Sequence, residues 1–404
     1  MPHSQNKSEC LLLHHSDARL NILSEHNHKT SAGSLRGRAI INALTIDVED
    51  YFQIHAFSKV INNAEWDLFE STVDRNTHRI LDLLDSHTGP PVPGCKKGQR
   101  QRATFFVLGW VAKRYPALIR EIHARGHEVA CHGYAHQTVF NQSQEEFRDD
   151  VSKAKAILED LTGTEIIGYR APTYSITRDT LWTLKILFDL GFRYDSSIFP
   201  IKHDFYGFPE APRFPFYIDF SDGDLVSQFR KPKYVSIVPN SKPFKTNRNQ
   251  QMPISLLNKD DSPENMRPSQ RGLKSDSQAY KPCGLRNVLV EFPLSTISLF
   301  GRKLPCSGGG FFRLFPYWYT RRGFNTINTK DSGSAIFYIH PWEFDPELPV
   351  ISSASALSKF RTYVNLKETE GKFRRLLSDF SFAPLASFLG SYSDHSIILQ
   401  SNQK

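Results

Sequence analysis

Cysteine is scarce in this chain and scattered. There are five in 404 residues, none in a CxxC pair, which excludes a disulfide framework and a cysteine-based zinc knuckle. Cys131 follows an apolar run and is expected as a buried thiol. Long apolar runs are missing as well: none approaches the roughly eighteen residues that a membrane-spanning helix requires. Near the start, Leu11-Leu12-Leu13 is too short to be the apolar heart of a secretory signal. A reducing cytoplasm is therefore the expected compartment. A compact basic patch is also absent. The formal net charge is +8, yet many lysines and arginines sit in polar stretches such as Lys231-Pro232-Lys233 and Lys245-Thr246-Asn247-Arg248, so no nucleic-acid partner is expected. What the chain does have is aromatic side chains: 30 Phe and 15 Tyr, enough for a large core and suited to lining a cleft that receives sugar rings. Nothing in the sequence sets an oligomeric state.

Sustained periodicity is missing from residues 1–38, rich in Ser, His and Asn, which are expected to form a disordered leader. It fails again over 218–286, where Ser, Asn, Lys, Gln, Asp and Pro dominate. A structureless piece of that length inside a domain predicts a disordered, low-complexity insertion. Elsewhere strands and helices alternate. Residues 39–46 read as a buried strand ending in acids, 72–87 as a helix, 103–108 as a strand and 111–125 as a helix stopped by Gly126. Then come a strand over 127–131, a helix over 144–161, a strand over 166–169, a helix over 178–190 stopped by Gly191, and a strand over 192–195. Order resumes at 287–293. It continues through the glycines Gly308 to Gly310, a helix over 314–322, a strand over 335–339 and an amphipathic helix over 367–380. No GK[ST] follows the glycines and no helix is expected to open directly after them, so they read as a tight turn rather than a phosphate loop. The alternation predicts an α/β fold with a parallel sheet and helices outside it, open or closed into a barrel. One domain is expected from 39–217 and 287–385, with 386–404 as a tail.

In such folds chemistry gathers at the carboxyl ends of strands, where Asp47, His132 and Arg170 all fall. His132 and His136 stand four apart after an apolar run; on one helical turn their rings would share a face and could meet one metal at about 2.0–2.1 Å each. Thr45-Ile46-Asp47-Val48-Glu49-Asp50 ends the first strand. Asp47 and Glu49 alternate on one side of an extended chain, with Val48 on the other. Two carboxylates side by side can divide the roles of metal ligand and base. If the strand ends one residue earlier, Asp50 takes the place of Glu49. Together these residues would make a two-histidine, one-carboxylate site with open positions for water and substrate.

Thr104-Phe105-Phe106, His132-Gly-Tyr-Ala-His136, Arg170-Ala171-Pro172 and Ile339-His340 follow the acidic segment in the order of the five motifs of NodB-type polysaccharide deacetylases, which this chain resembles over roughly 39–217 and 287–385. The finer text is similar to the subgroup tied to exosortase and exopolysaccharide loci: Asp47 to Phe52, Tyr194 to Pro200, Gly308 to Arg313, and His340-Pro341-Trp342-Glu343. The resemblance implies a distorted (β/α) barrel, a divalent metal, usually zinc, and removal of N-acetyl groups from an N-acetylated oligo- or polysaccharide. It further implies that Glu49, His132 and His136 bind the metal and that Asp47 is the general base, held by Arg170. His340 would protonate the leaving amine. The N–H of Thr173 would receive the developing oxyanion, Tyr174 and Trp342 would contact substrate, and Asp195 would lie near the site and tune His340. A different C–N hydrolase on the same scaffold, opening cyclic amides or imides, and a carbohydrate-binding protein with a decayed site are the alternatives.

Overall fold

The structure, a computed structural model, describes residues 40–92, 98–203, 206–220 and 288–393. The expected leader and all but the first few residues of the expected insertion lie outside them. Its main sheet contains β1 (Ile41–Val48), β2 (Thr104–Val107), β3 (Glu128–Cys131), β4 (Gly168–Tyr169), β5 (Tyr194–Asp195), β6 (Phe216–Asp219), β7 (Val288–Glu291), β10 (Ile336–Ile339) and β11 (Ser381–Ala383); β8 (Thr296–Leu299) and β9 (Arg302–Pro305) form a separate hairpin. The order is β10-β1-β2-β3-β4-β5-β7-β6, with β11 also on β1, and every pairing in it is parallel except β6 with β7.

Side chains alternate between two cores, and this alternation is what rolls the sheet. Leu44, Ile46 and Val48 of β1 face the outer core with the helices, as do Phe105, Val107, Val129, Phe337 and Ile339. The intervening positions Ala43, Phe106, Ala130, Ile336 and Tyr338 join Tyr194 and Val290 in a second, inner core. In a flat sheet β10 and β7 would stand about 29 Å apart, six strand spacings, yet their side chains share that core. Likewise Arg170, just past β4, bonds Thr45 and Asp47 of β1, across what would be about 14 Å of flat sheet. The sheet is therefore a distorted (β/α) barrel. Its seam is filled by connecting chain: the Ile336 N–H donates to Ser295 Oγ and the Tyr338 N–H to the Ser307 carbonyl. Gly168 makes room inside, because a Cβ there would lie 2.1 Å from the Tyr194 ring.

The helices are α1 (Val73–Ser86), α2 (Gly109–Arg114), α3 (Pro116–Ala124), α4 (Gln144–Thr162), α5 (Trp182–Asp189), α6 (Gly309–Leu314), α7 (Tyr317–Thr329), α8 (Ala356–Tyr363), α9 (Leu366–Asp379) and α10 (Ala386–Ser393). Among the described residues none is long and apolar enough to cross a membrane. Several expectations are corrected. The single helix expected over 111–125 is broken between Arg114 and Pro116, since proline has no N–H for the preceding turn and is accepted at the start of the next helix. The expected turn at Gly308–Gly310 instead opens α6 at Gly309. Gly308, at φ +132°, lies so close to β10 that a Cβ would sit 1.8 Å from the Tyr338 carbonyl oxygen; the glycines pack a helix onto a strand. The hairpin β8–β9 and strand β11 were not anticipated, being short and without strong alternation. The expected tail begins as helix α10, and β6 runs two residues past the expected start of the insertion.

Candidate active site

The first strand delivers its acids as the alternation requires. Asp47 comes from the inner side of β1, Glu49 follows just past its end, and Val48 between them is buried in the outer core. The next residue has a different use. Asp50 accepts from the N–H groups of Tyr51, Thr72 and Val73 and from the hydroxyls of Ser71 and Thr72, so it secures the start of α1, where the first N–H groups have no partner within the helix. That leaves Glu49 as the carboxylate that meets the histidines.

His132 and His136 do not share a helical turn. They flank a loop after β3 in which Gly133 (φ +75°) and His136 (φ +50°) turn the chain back on itself. Asp150 of α4 shapes the loop by accepting from the Tyr134 and Ala135 N–H groups, and a side chain on residue 133 would run into its carboxylate at 2.8 Å. His132 Nδ1 faces the Arg170 carbonyl oxygen at 2.8 Å, which leaves Nε2 for the site. His136 Nε2 lies 2.5 Å and His132 Nε2 3.9 Å from Glu49 Oε2. Burial alone would raise the Glu49 pKa, but the charges of His136 and His340 hold it down at about 2. Burial lowers His132 to about 4, favouring the neutral ring that a metal needs.

Arg170, fully buried, donates from Nη1 to Asp47 Oδ1 and Thr45 Oγ1, both at 2.7 Å, and from Nε and Nη2 to the carbonyl and hydroxyl of Ser196. The Tyr174 hydroxyl reaches Asp47 Oδ2 at 3.4 Å. Asp47 is thus gripped on both oxygens. The turn at Pro172–Tyr174 carries Thr173 and Tyr174 at positive φ; its hydrogen bonds use the N–H groups of Tyr174 and Ser175, and among the described residues the Thr173 N–H has no acceptor.

His340 closes the far side, its Nε2 3.7 Å from Asp47 Oδ2 and 3.7 Å from Glu49 Oε1. With its side chain 16% exposed against 4% or less for Asp47, Glu49, His132 and His136, it is the wall nearest solvent. Its Nδ1 meets Glu343 Oε1 at 2.6 Å. Burial would lower the His340 pKa, but Glu49 and Glu343 raise it to about 9. Trp342 stacks on the His340 ring, 5.4 Å between centroids, and donates its indole N–H to Glu49 at 3.3 Å. At 5% exposure Trp342 braces the carboxylate and offers little face to a sugar.

The expected link between Asp195 and His340 is not found. Asp195 is fully buried, accepts from Ser197 Oγ and stands beside Glu291, and Glu343 is the carboxylate on His340. Glu343 was missed at the sequence level; the signal available was its place three residues after His340, which lets an acid cap the same short turn. Asp150 and Ser196 were missed too, because both act through chain distant in sequence.

Glu49, His132 and His136 place one possible donor atom each within 4.8 Å of one another. The set is two imidazole nitrogens and a carboxylate, with a second-layer carbonyl fixing one imidazole, and it suits a divalent ion of the zinc type.

Residues 68–194 match the family described as polysaccharide deacetylase, and residues 266–390 match one described as a domain of unknown function (DUF3473). The chain thus carries a polysaccharide deacetylase domain. The first match holds His132, His136 and Arg170, the second holds His340 and Glu343, and Asp47 and Glu49 precede both. A peptidoglycan-N-acetylglucosamine deacetylase of Bacillus cereus is 33% identical over 136 residues, which are 33% of this chain and 44% of that protein. A peptidoglycan deacetylase-like protein of Gibberella zeae is 31% identical over 120 residues, 30% of this chain and 32% of that protein. A crystal structure from Mycobacterium smegmatis, provisionally assigned to the polysaccharide deacetylases, covers 91% of this chain and 94% of its own at 17% identity and TM-score 0.47. The matches span less than half the length of these two curated relatives.

Proposed function

We propose that the protein is a metal-dependent hydrolase that removes N-acetyl groups from amino-sugar units of a polysaccharide or its precursor. The observation that carries this reading is the meeting of two opposed groups at one ligand cluster: Asp47 and His340, 3.7 Å apart, beside Glu49, His132 and His136. A carboxylate base and an imidazolium acid so placed are what amide hydrolysis asks for, because a poor leaving group must be protonated as it departs.

Glu49, His132 and His136 would hold the ion, most readily zinc. Such an ion supplies Lewis acidity, making water a stronger acid and a carbonyl a better electrophile near neutral pH. Asp47, oriented by Arg170 and Tyr174, takes a proton from the attacking water as its oxygen bonds to the acetyl carbon. The Thr173 N–H donates to the oxygen on which negative charge grows. His340 then delivers its Nε2 proton to the nitrogen as the C–N bond breaks, so the products are acetate and a free amine. A role in exopolysaccharide production is supported by the resemblance of the segments Asp47 to Phe52 and Gly308 to Arg313.

The test is acetate release from N-acetylhexosamine oligomers, before chelation, after it, and with metal restored. The expected result is stoichiometric divalent metal in the wild type, its loss in the His132→Ala/His136→Ala double variant, and a fall in rate of more than about 100-fold, since loss of outer-layer partners alone costs up to about that much. A wild type without stoichiometric metal and without acetate release defeats the proposal.

A further inference from the structure

We infer that Arg313 is a positioning residue for His340, acting through Glu343 and tying the acid of the site to the main chain at the end of α8. The inference rests on the deacetylase reading and goes beyond it by giving a task to the glycine-rich segment that otherwise has none.

The construction begins at Gly308 and Gly309. A Cβ on either would collide with Tyr338 of β10, on its carbonyl oxygen and its ring respectively. Only glycines let α6 lie against the strand whose end carries His340. That docking brings Arg313, in the last turn of α6, under the active-site wall, where it is 2% exposed. Its Nε donates to Glu343 Oε2 at 2.5 Å. Nη1 donates to the carbonyls of Thr362 and Val364 at 2.7 and 3.1 Å, and Nη2 to that of Arg361 at 2.8 Å. These carbonyls lie at the C-terminal end of α8, where helix carbonyls lack partners and favour a cation. The guanidinium also lies 5.1 Å from the Trp342 ring centroid.

Glu343 is consequently held at both ends. Oε2 belongs to Arg313, while Oε1 takes the His340 backbone N–H at 3.1 Å and faces His340 Nδ1 at 2.6 Å. Fixing Nδ1 decides the rest, because the two ring nitrogens are rigidly opposed: Nε2 must then point at Asp47 and Glu49. Without Arg313, Glu343 Oε2 is a buried carboxylate oxygen with no partner, and the side chain has reason to turn away from the imidazole. Charge, fork geometry and the α8 carbonyls all converge on one outcome, a His340 ring that cannot rotate.

Two substrates separate a positioning role from a merely structural one. An N-acetylated chitooligosaccharide needs His340 to protonate its leaving amine; p-nitrophenyl acetate does not, because p-nitrophenolate leaves as the anion. In the metal-loaded full chain, Arg313→Met is expected to lower kcat for the oligosaccharide about 10- to 100-fold, the cost of a misplaced catalytic group, while ester hydrolysis changes less than about 3-fold. His340→Ala calibrates the selective loss. The Arg313→Met/Glu343→Gln double variant should be no slower than the worse single, because both act on one unit. If Arg313→Met does not accumulate as folded, metal-loaded protein, Arg313→Lys serves: it keeps the buried charge and gives up the fork, and the same selective loss is expected. Equal loss on both substrates, or additive losses in the double variant, overturns the inference while leaving the deacetylase reading intact. A wild type that hydrolyses the ester and releases no acetate from the oligosaccharide overturns both.

Discussion

Adjacent acids at the end of β1 meet opposite fates. Glu49 points into the barrel mouth, where histidines hold it down at about 2, and Asp50 points away and accepts hydrogen bonds that order the start of α1. Their isosteric amides should therefore differ in metal content. In Asp50→Asn one oxygen becomes a donor facing donors, so the metal content should stay stoichiometric while stability falls by about 1–3 kcal/mol. Glu49→Gln should lose the metal, and its metal-free protein should also lose the stabilisation that the lowered carboxyl brings at neutral pH, so metal content is what separates the pair. Metal analysis and thermal melts on both variants check the pair, and a reversed pattern would make Asp50 the ligand. Sequence left this choice open for a physical reason: the donors that claim Asp50 lie at Ser71, Thr72 and Val73, beyond any local spacing rule. That Asp47, His132, His136, Arg170 and His340 come together was legible because Asp47, His132 and Arg170 fall at strand ends and all five stand in the order of the motifs that the chain resembles. The loop that joins the two histidines was not, since residues four apart suit a helix and a glycine-turned loop equally well. Asp195 was misplaced because its partner, Glu291, arrives from the far side of residues 221–287.

At the level of elements, punctuation decided where sequence and structure agree. Helices with long apolar periods, α1, α4 and α9, fall within a residue or two of expectation. Short pieces such as β8, β9 and β11 do not announce themselves, because strands of three or four residues carry too few alternations. The pair β6–β7 has a particular consequence. Its antiparallel register sets Asp219 opposite Val288, so the chain departs and returns at adjacent points of the sheet. Replacing residues 221–286 by a short Asn-Gly turn is expected to preserve the barrel and its acetate-releasing activity. Shortening a closed loop is entropically favourable by about 0.6 kcal/mol per halving. Melting temperature and acetate release of the shortened chain test this. Loss of folding would mean that the segment supplies contacts the barrel requires.

For the molecule as a whole, buried acids couple stability to pH. Asp195 and Glu291 meet inside the barrel wall, burial pushing Asp195 up to about 6 and, with Asp195 beside it, Glu291 well above its ordinary value. The folded chain then keeps protons that the unfolded chain releases. This contribution is complete below the ordinary carboxyl range, near pH 4, and is lost as pH rises through 6 and beyond. Glu291→Gln carries the hydrogens permanently. Between pH 5 and 8 the wild type should therefore lose stability relative to the variant, by up to about 1.4 kcal/mol per pH unit for one proton. Melts across that range decide it, and parallel curves would mean that the pair does not titrate there.

The strand that carries Asp47 and Glu49 is also the one whose neighbours come from farthest along the chain. Along one edge β1 pairs with β2 at Thr45–Val48 and, ahead of it, with β11 at Ile41–Ala43, but along its other edge Ala43–Ile46 pair with Ile336–Ile339 of β10. During translation, at about 5–20 residues per second, that edge waits on the order of tens of seconds for its partner to leave the ribosome. The strand that ends in the acids is therefore enclosed late, and a nascent chain released before Ile336 carries a bare edge of the kind that recruits foreign strands.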